Sequence, residues 1–102
     1  MIEITLDSKR AEVKIGDTEL HLCPKEYGIL EMLIRYQGVV VSREALLRKV
    51  WDLPRTAGLK TRTIDQYVAR MRRKMRAMNP AAAGAIRTVC NKGYKFVVTP
   101  NA

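Results

Sequence analysis

Over the first 22 residues apolar and polar positions alternate. The runs IEITL, AEVKI and TELHL each put Ile, Val or Leu on one face and Glu, Thr, Lys or His on the other, with DSKR and GD between them as turns. The pattern predicts three antiparallel strands with one wet face, and alternation with Leu20 and Leu22 places His21 on it. At Pro24 the period changes. Tyr27, Leu30, Met32, Leu33 and Ile34 follow a helical spacing as far as Gln37, and Gly38 reads as a stop. Pro24 suits a first turn that has no need of its N–H, and Glu26 suits the positive helix end. After a short extended VVV, Ser42 is the natural N-cap of a second helix whose buried side is Ala45, Leu46, Val50 and Trp51.

The stretch DLPRTAGL, residues 52–59, holds a proline and a glycine and is expected to be a loop. A long third helix runs from about Thr61 to Met78 and stops at Asn79–Pro80. The small-residue tract 81–85 reads as a flexible link. IRTV and YKFVV then form a hairpin joined by CNKG, with its glycine where a turn wants one. The expected fold is α+β. A single domain, 1–102, has an N-terminal antiparallel sheet (1–22), a three-helix core (24–78) and a C-terminal β-hairpin (86–98), the layout of a winged helix-turn-helix.

Sorting the third helix by direction separates two faces. Ile64, Val68, Met71, Met75 and Met78 form a stripe for the core, with Tyr67 on its margin. Methionines at this spacing fill gaps in cores. Opposite them lie Arg62, Gln66, Ala69, Arg70 and Arg73, flanked by Arg72, Lys74 and Arg76. Basic residues on an exposed helix are ordinarily just solvated. Here the face is almost free of acid, so opposite-charge pairing along the helix is missing apart from what Asp65 offers. Arg62, Gln66, Ala69, Arg70 and Arg73 are the residues expected to face base edges, where small Ala69 permits close approach, arginine reads guanine and glutamine adenine.

Charge fits that face. The 102 residues carry 19 Lys and Arg against 10 Asp and Glu, a net +9 with a pI near 10.0. Such an excess favours nucleic acid, anionic membrane or an acidic protein as partner. A membrane-surface helix would expose Trp, Phe or Leu, which this helix does not. No run approaches a membrane span and the N-terminus is no secretion signal, so a soluble, cytoplasmic protein is expected. Cys23 and Cys90 read as reduced, partly buried thiols. With one His, two separated cysteines and no glycine-rich phosphate loop, neither an enzyme, a metal site nor a cofactor is expected.

Three segments in order, CPKEYGILEMLIRYQGVVVSREALLRKVW, RTIDQYVARMRRKM and IRTVCNKGYKF, resemble the helices and wing of the OmpR/PhoB-type winged-helix DNA-binding domain over about residues 20–98. That family comprises effector domains of two-component response regulators. The resemblance implies sequence-specific binding of duplex DNA in transcription control. The third helix would lie in the major groove and the wing, 86–96, along the minor groove. It implies a base-reading Arg70, a phosphate-gripping Arg62, and phosphate contacts at Trp51, Arg72 and Thr88. Thr63, Lys74 and Arg76 would join the phosphate set, and Arg87, Lys92 and Lys95 would serve the wing. Asp52, Leu53, Pro54 and Arg55 fall in the loop that often meets RNA polymerase. The family also implies tandem binding to direct repeats, whereas the residues, with no obvious coiled coil or exposed apolar seam, lead us to expect a monomer in solution.

Two departures stand out. Cys23 replaces the usual Thr or Ser of a capping box, for an expected loss of up to about 1 kcal/mol. Cys90 replaces a common wing arginine, leaving Arg87, Lys92 or Lys95 to take its part. Family members usually carry an N-terminal receiver domain, and nothing in these residues resembles one, so either an excised effector domain or a free-standing protein is expected. The alternative is a winged-helix protein-interaction module without base readout. RNA binding, which wants exposed stacking aromatics, ranks last.

Overall fold

The computed structural model describes residues 4–7, 9–10, 12–51 and 62–97. Strands β1 (Ile4–Asp7), β2 (Glu12–Ile15) and β3 (Thr18–His21) form an antiparallel meander in the order β1-β2-β3. Asp7 accepts the backbone N–H groups of Lys9 and Arg10, closing the first turn. Ile15 pairs with Thr18, so Gly16 and Asp17 make a two-residue turn, and Gly16 takes the positive φ of 61° that such turns require. Val13 and Ile15 are buried, while His21 is exposed on the wet face as expected.

Three helices follow: α1 (Pro24–Arg35), α2 (Arg43–Val50) and α3 (Arg62–Met78). In α1 the buried residues are Glu26, Tyr27, Ile29, Leu30 and Leu33, whereas Met32 and Ile34 are only half-buried. Ser42 caps α2 as expected, its Oγ accepting the Ala45 N–H at 3.1 Å. Leu47, absent from the expected buried side, is fully buried beside Leu46, and Ala45, Val50 and Trp51 lie at the core margin. The stripe of α3 is as read from the sequence. Ile64, Val68, Met71 and Met75 are fully buried, with Met78 and Tyr67 half-buried.

The tract after α3 is a correction. Asn79–Pro80 ends one helix and begins another, the single turn α4 (Pro80–Ala83). Ala82, Ala83 and Ala85 are buried, and the N–H of Ala82 bonds the Asn79 carbonyl. Proline is tolerated in a first turn, and alanine combines high helix propensity with a side chain small enough to pack closely. The tract is a packed corner, and the expectation of a flexible link fails.

Strands β4 (Ile86–Val89) and β5 (Gly93–Phe96) form the hairpin. Its turn takes positive φ at Asn91, 62°, while Gly93 opens β5 with a φ of 144°. The glycine is needed for another reason than the turn. A Cβ there would lie 2.2 Å from the Val41 carbonyl oxygen. Val41 and Tyr94 exchange both backbone hydrogen bonds, at 2.7 and 3.0 Å, so the extended segment before α2 is a third rail of the wing.

One buried charge holds α1 to α3. Glu26 is fully buried, and its Oε1 accepts from Lys74 Nζ at 2.7 Å and from the Cys23 N–H at 3.1 Å, the glutamate arm of a capping box. Burial pushes the carboxyl up, yet the Lys74 and Cys23 hydrogen bonds together hold it below 4.5. Its stabilisation is therefore present above pH 4.5 and is lost as pH falls through the folded value. Lys74→Met, which leaves the carboxylate unpaired in the core, is expected to cost about 3 kcal/mol in urea unfolding at pH 7. The same variant should lose less stability than wild type on acidification below pH 4.5. Equal acid sensitivity of the two proteins would exclude this pairing as its source.

Candidate nucleic-acid interface

Helix α3 presents a ridge, two shoulders and a buried keel. The ridge consists of Arg62, Gln66, Ala69, Arg70, Arg73 and Arg76, every one exposed. All five residues expected to face bases lie on it. With about 3.6 residues per turn, positions seven apart share a direction, so Asp65 and Arg72 form one shoulder and Tyr67 and Lys74 the other.

The first shoulder ties α3 to the wing. Asp65 Oδ1 accepts from Arg43 Nε at 2.7 Å and from the Tyr94 hydroxyl, joining α3 to the first residue of α2 and to β5. Burial raises the Asp65 pKa, but the Tyr94 and Arg43 hydrogen bonds outweigh it and hold the carboxyl below its usual value. The tyrosine moves the other way, raised by burial and by its bond to Asp65. Arg72 Nη2 donates to the Ile86 carbonyl at 2.7 Å and to Thr88 Oγ1 at 2.9 Å. The Arg43 and Arg72 guanidinium groups lie 5.0 and 5.5 Å from the Tyr94 ring centroid. Arg72 and Thr88, both expected at phosphates, are thus joined to each other. The Thr88 hydroxyl accepts from Arg72, and a hydroxyl that accepts still has a proton it can donate.

The second shoulder faces α1 and the end of α2. Lys74, also expected at a phosphate, is engaged with Glu26. Tyr67 meets Trp51, the C-cap of α2, edge to face, with centroids 5.3 Å apart and planes at 75°. Lys25 Nζ donates to the Val50 carbonyl at 3.2 Å and sits 5.2 Å from the Trp51 ring centroid. Thr63 is half-buried on the same side.

In the wing, Arg87 and Lys95 are cross-strand partners, with Arg87 and Lys92 exposed and Lys95 half-exposed. Cys90 is exposed, against the expectation of a partly buried thiol, because it stands in the turn rather than on a packed strand face; Cys23 is half-buried, and both are free. Asp52, Leu53, Pro54 and Arg55 lie outside the described residues. Among the described residues no helix is long and apolar enough to cross a membrane, and no group of three or more His, Cys, Asp or Glu could hold a metal ion.

Sequence reasoning missed Arg43, Asp65 and Tyr94 as a joint and Glu26–Lys74 as a pair. The spacing of Asp65 and Arg72 marks them as one shoulder. No sequence signal shows which element each shoulder meets.

The family described as "Transcriptional regulatory protein, C terminal" matches residues 17–96, from the β2–β3 turn to the end of the wing. The chain belongs to that family. Curated relatives include the transcriptional regulatory proteins ResD of Bacillus subtilis, 39% identical over 95 residues, and SrrA of Staphylococcus aureus, 37% over 98. These matches cover 93% and 96% of the chain but only 39% and 40% of the relatives, so the chain spans about two-fifths of their length. Among solved structures, the Klebsiella pneumoniae RstA DNA-binding domain in complex with RstA box matches with a TM-score of 0.74 and 29% identity, covering 92% of this chain and 90% of that one. The Escherichia coli CadC DNA-binding domain agrees in fold, with a TM-score of 0.80 at 22% identity and coverage of 95% and 88%. Like these relatives, the chain is a winged helix, and its ridge lies on the third helix of that family fold.

The joint can be tested by itself. Asp65→Asn removes the charge that Arg43 and Tyr94 share and is expected to cost about 1.5–3 kcal/mol in chemical denaturation. Tyr94→Phe keeps the ring beneath both guanidinium groups and removes one hydroxyl, for about 1 kcal/mol. A loss from Tyr94→Phe as large as that from Asp65→Asn would contradict this division.

Proposed function

We propose that this chain is the DNA-binding part of a transcription regulator, reading duplex DNA with α3 in the major groove and the wing along the minor groove. One observation carries the reading. The ridge holds four exposed arginines, and the helix's sole acid, Asp65, is turned aside to Arg43 and Tyr94. Four cations on one face without an acid leave a field suited to a polyanion. The family and the DNA complex of RstA support the same reading.

Arg62, Gln66, Ala69, Arg70 and Arg73 face base edges, and Trp51, Thr63, Arg76 and the Thr88 hydroxyl lie against phosphates. Arg87, Lys92 and Lys95 attract the strand that the wing follows. Arg72 and Lys74 act chiefly from inside, holding the wing and α1 in place. By family habit the loop 52–59 would meet RNA polymerase, and two copies would bind direct repeats in tandem.

Selection from random duplex DNA at two salt concentrations is expected to enrich a short motif. Arg70→Ala should relax one base position at a loss of about 1–3 kcal/mol. Arg76→Ala should weaken all sequences alike and reduce the slope of log affinity against log salt by about 1. Tight, salt-sensitive binding without a motif would leave a basic, undiscriminating module. No binding at low salt would favour a protein-interaction module instead.

A further inference from the structure

Arg70 is not free on its ridge. Its guanidinium lies over the Tyr67 ring, 5.1 Å from the centroid. The ring is not free either, since its partner Trp51 holds it edge to face at 5.3 Å. Trp51 in turn is fixed as the C-cap of α2 by its N–H bond to the Leu47 carbonyl at 3.0 Å, and Lys25 covers its ring at 5.2 Å. The contacts run from α1 through the end of α2 to the ridge of α3. We infer that Tyr67 is a positioning residue for base recognition: anchored by Trp51, its ring holds the Arg70 guanidinium ready to read one base.

The physical case rests on side-chain entropy. An exposed arginine has many rotamers of similar energy, and ordering it on a base opposes binding. Its fork makes two hydrogen bonds to guanine only from a narrow range of positions. A ring beneath the guanidinium removes part of that freedom before DNA arrives, while its N–H groups remain available at the edge of the plane. Arg62 and Arg73 have no such ring contact among the described residues. Among the described residues Arg70 is thus the one ridge arginine placed over an aromatic ring, it is among those assigned to base edges, and the ring belongs to a side chain already packed at the core margin.

The inference rests on the proposed DNA reading, and the test separates the two. Wild type, Tyr67→Phe, Tyr67→Leu, Arg70→Ala and the double variant Tyr67→Leu/Arg70→Ala are compared on the selected site and on that site with its Arg70-dependent base pair replaced. Thermal melting accompanies each to show that it folds. Tyr67→Leu should lower discrimination at that base pair about two- to fivefold, the size of an exposed cation–ring contact. Binding to unrelated duplex should be unchanged, and the phenylalanine variant should keep full discrimination. In the Arg70→Ala background Tyr67→Leu should have no further effect on discrimination.

Unchanged discrimination in a folded Tyr67→Leu overturns the inference while the DNA reading stands. So does an equal loss in Tyr67→Phe, which would assign the effect to the hydroxyl touching DNA. A full additional loss in the double variant would show Tyr67 reading DNA independently. Failure of wild type to prefer any site overturns the DNA reading, and this inference with it.

Discussion

The Asp65 carboxylate is the constraint on which the working face depends. A helix with arginines at 62, 70, 72, 73 and 76 would repel itself or pair with acids along its surface. Here the single acid lies on a shoulder, and two other elements claim it. Because Arg43 begins α2 and Tyr94 lies in β5, one carboxylate sets α3 against both the preceding helix and the wing. The ridge stays free of acid because its counter-charge has been turned toward the fold.

The opposite shoulder repeats the design with different chemistry. Tyr67 and Lys74 point toward α1 and the end of α2, one through an aromatic contact and the other through a buried carboxylate. A buried ion pair gives little net stability over a well-packed apolar pair, but it penalises every arrangement in which the charge is left alone. Glu26 therefore specifies where α3 lies across α1 more than it adds to the depth of the core. With both shoulders tied, the ridge can meet a partner without a prior change in helix orientation. What remains to be ordered is the ends of its long side chains.

Much of this was legible in the chain. Alternation located the strands, the methionine and β-branched stripe located the buried face of α3, and Ser42 located the start of α2. These are local signals, written at spacings of about two or 3.6 residues. What escaped was the choice of partner. Gly93 looked like a turn glycine, yet it is required by the Val41 backbone, 52 positions earlier in the chain. The alanines after Pro80 looked like a linker because small side chains carry little hydrophobic signal, although they pack well. Arg72 and Lys74 looked like free surface cations because sequence records a side chain's charge and not the atom it meets. The hairpin was legible from its two β-like runs and the CNKG turn, whereas the expected groove positions and the expected polymerase role of the loop came from the resemblance alone.

The cations therefore fall into two kinds that composition counts as one. Arg43, Arg72 and Lys74 each have an internal acceptor within 3.0 Å and serve the geometry of the fold. Arg62, Arg73 and Arg76 stand exposed on the ridge. Arg70 is between them, its guanidinium over a ring, a contact that takes none of its hydrogen bonds. This environment suits the reading role proposed for Arg70. A carboxylate partner would have to be displaced by DNA, at the cost of a charge-assisted bond, whereas an unsupported arginine would have to be ordered from the solvated state. An aromatic face gives direction without a competing acceptor, and in this fold that face is kept in place by Trp51.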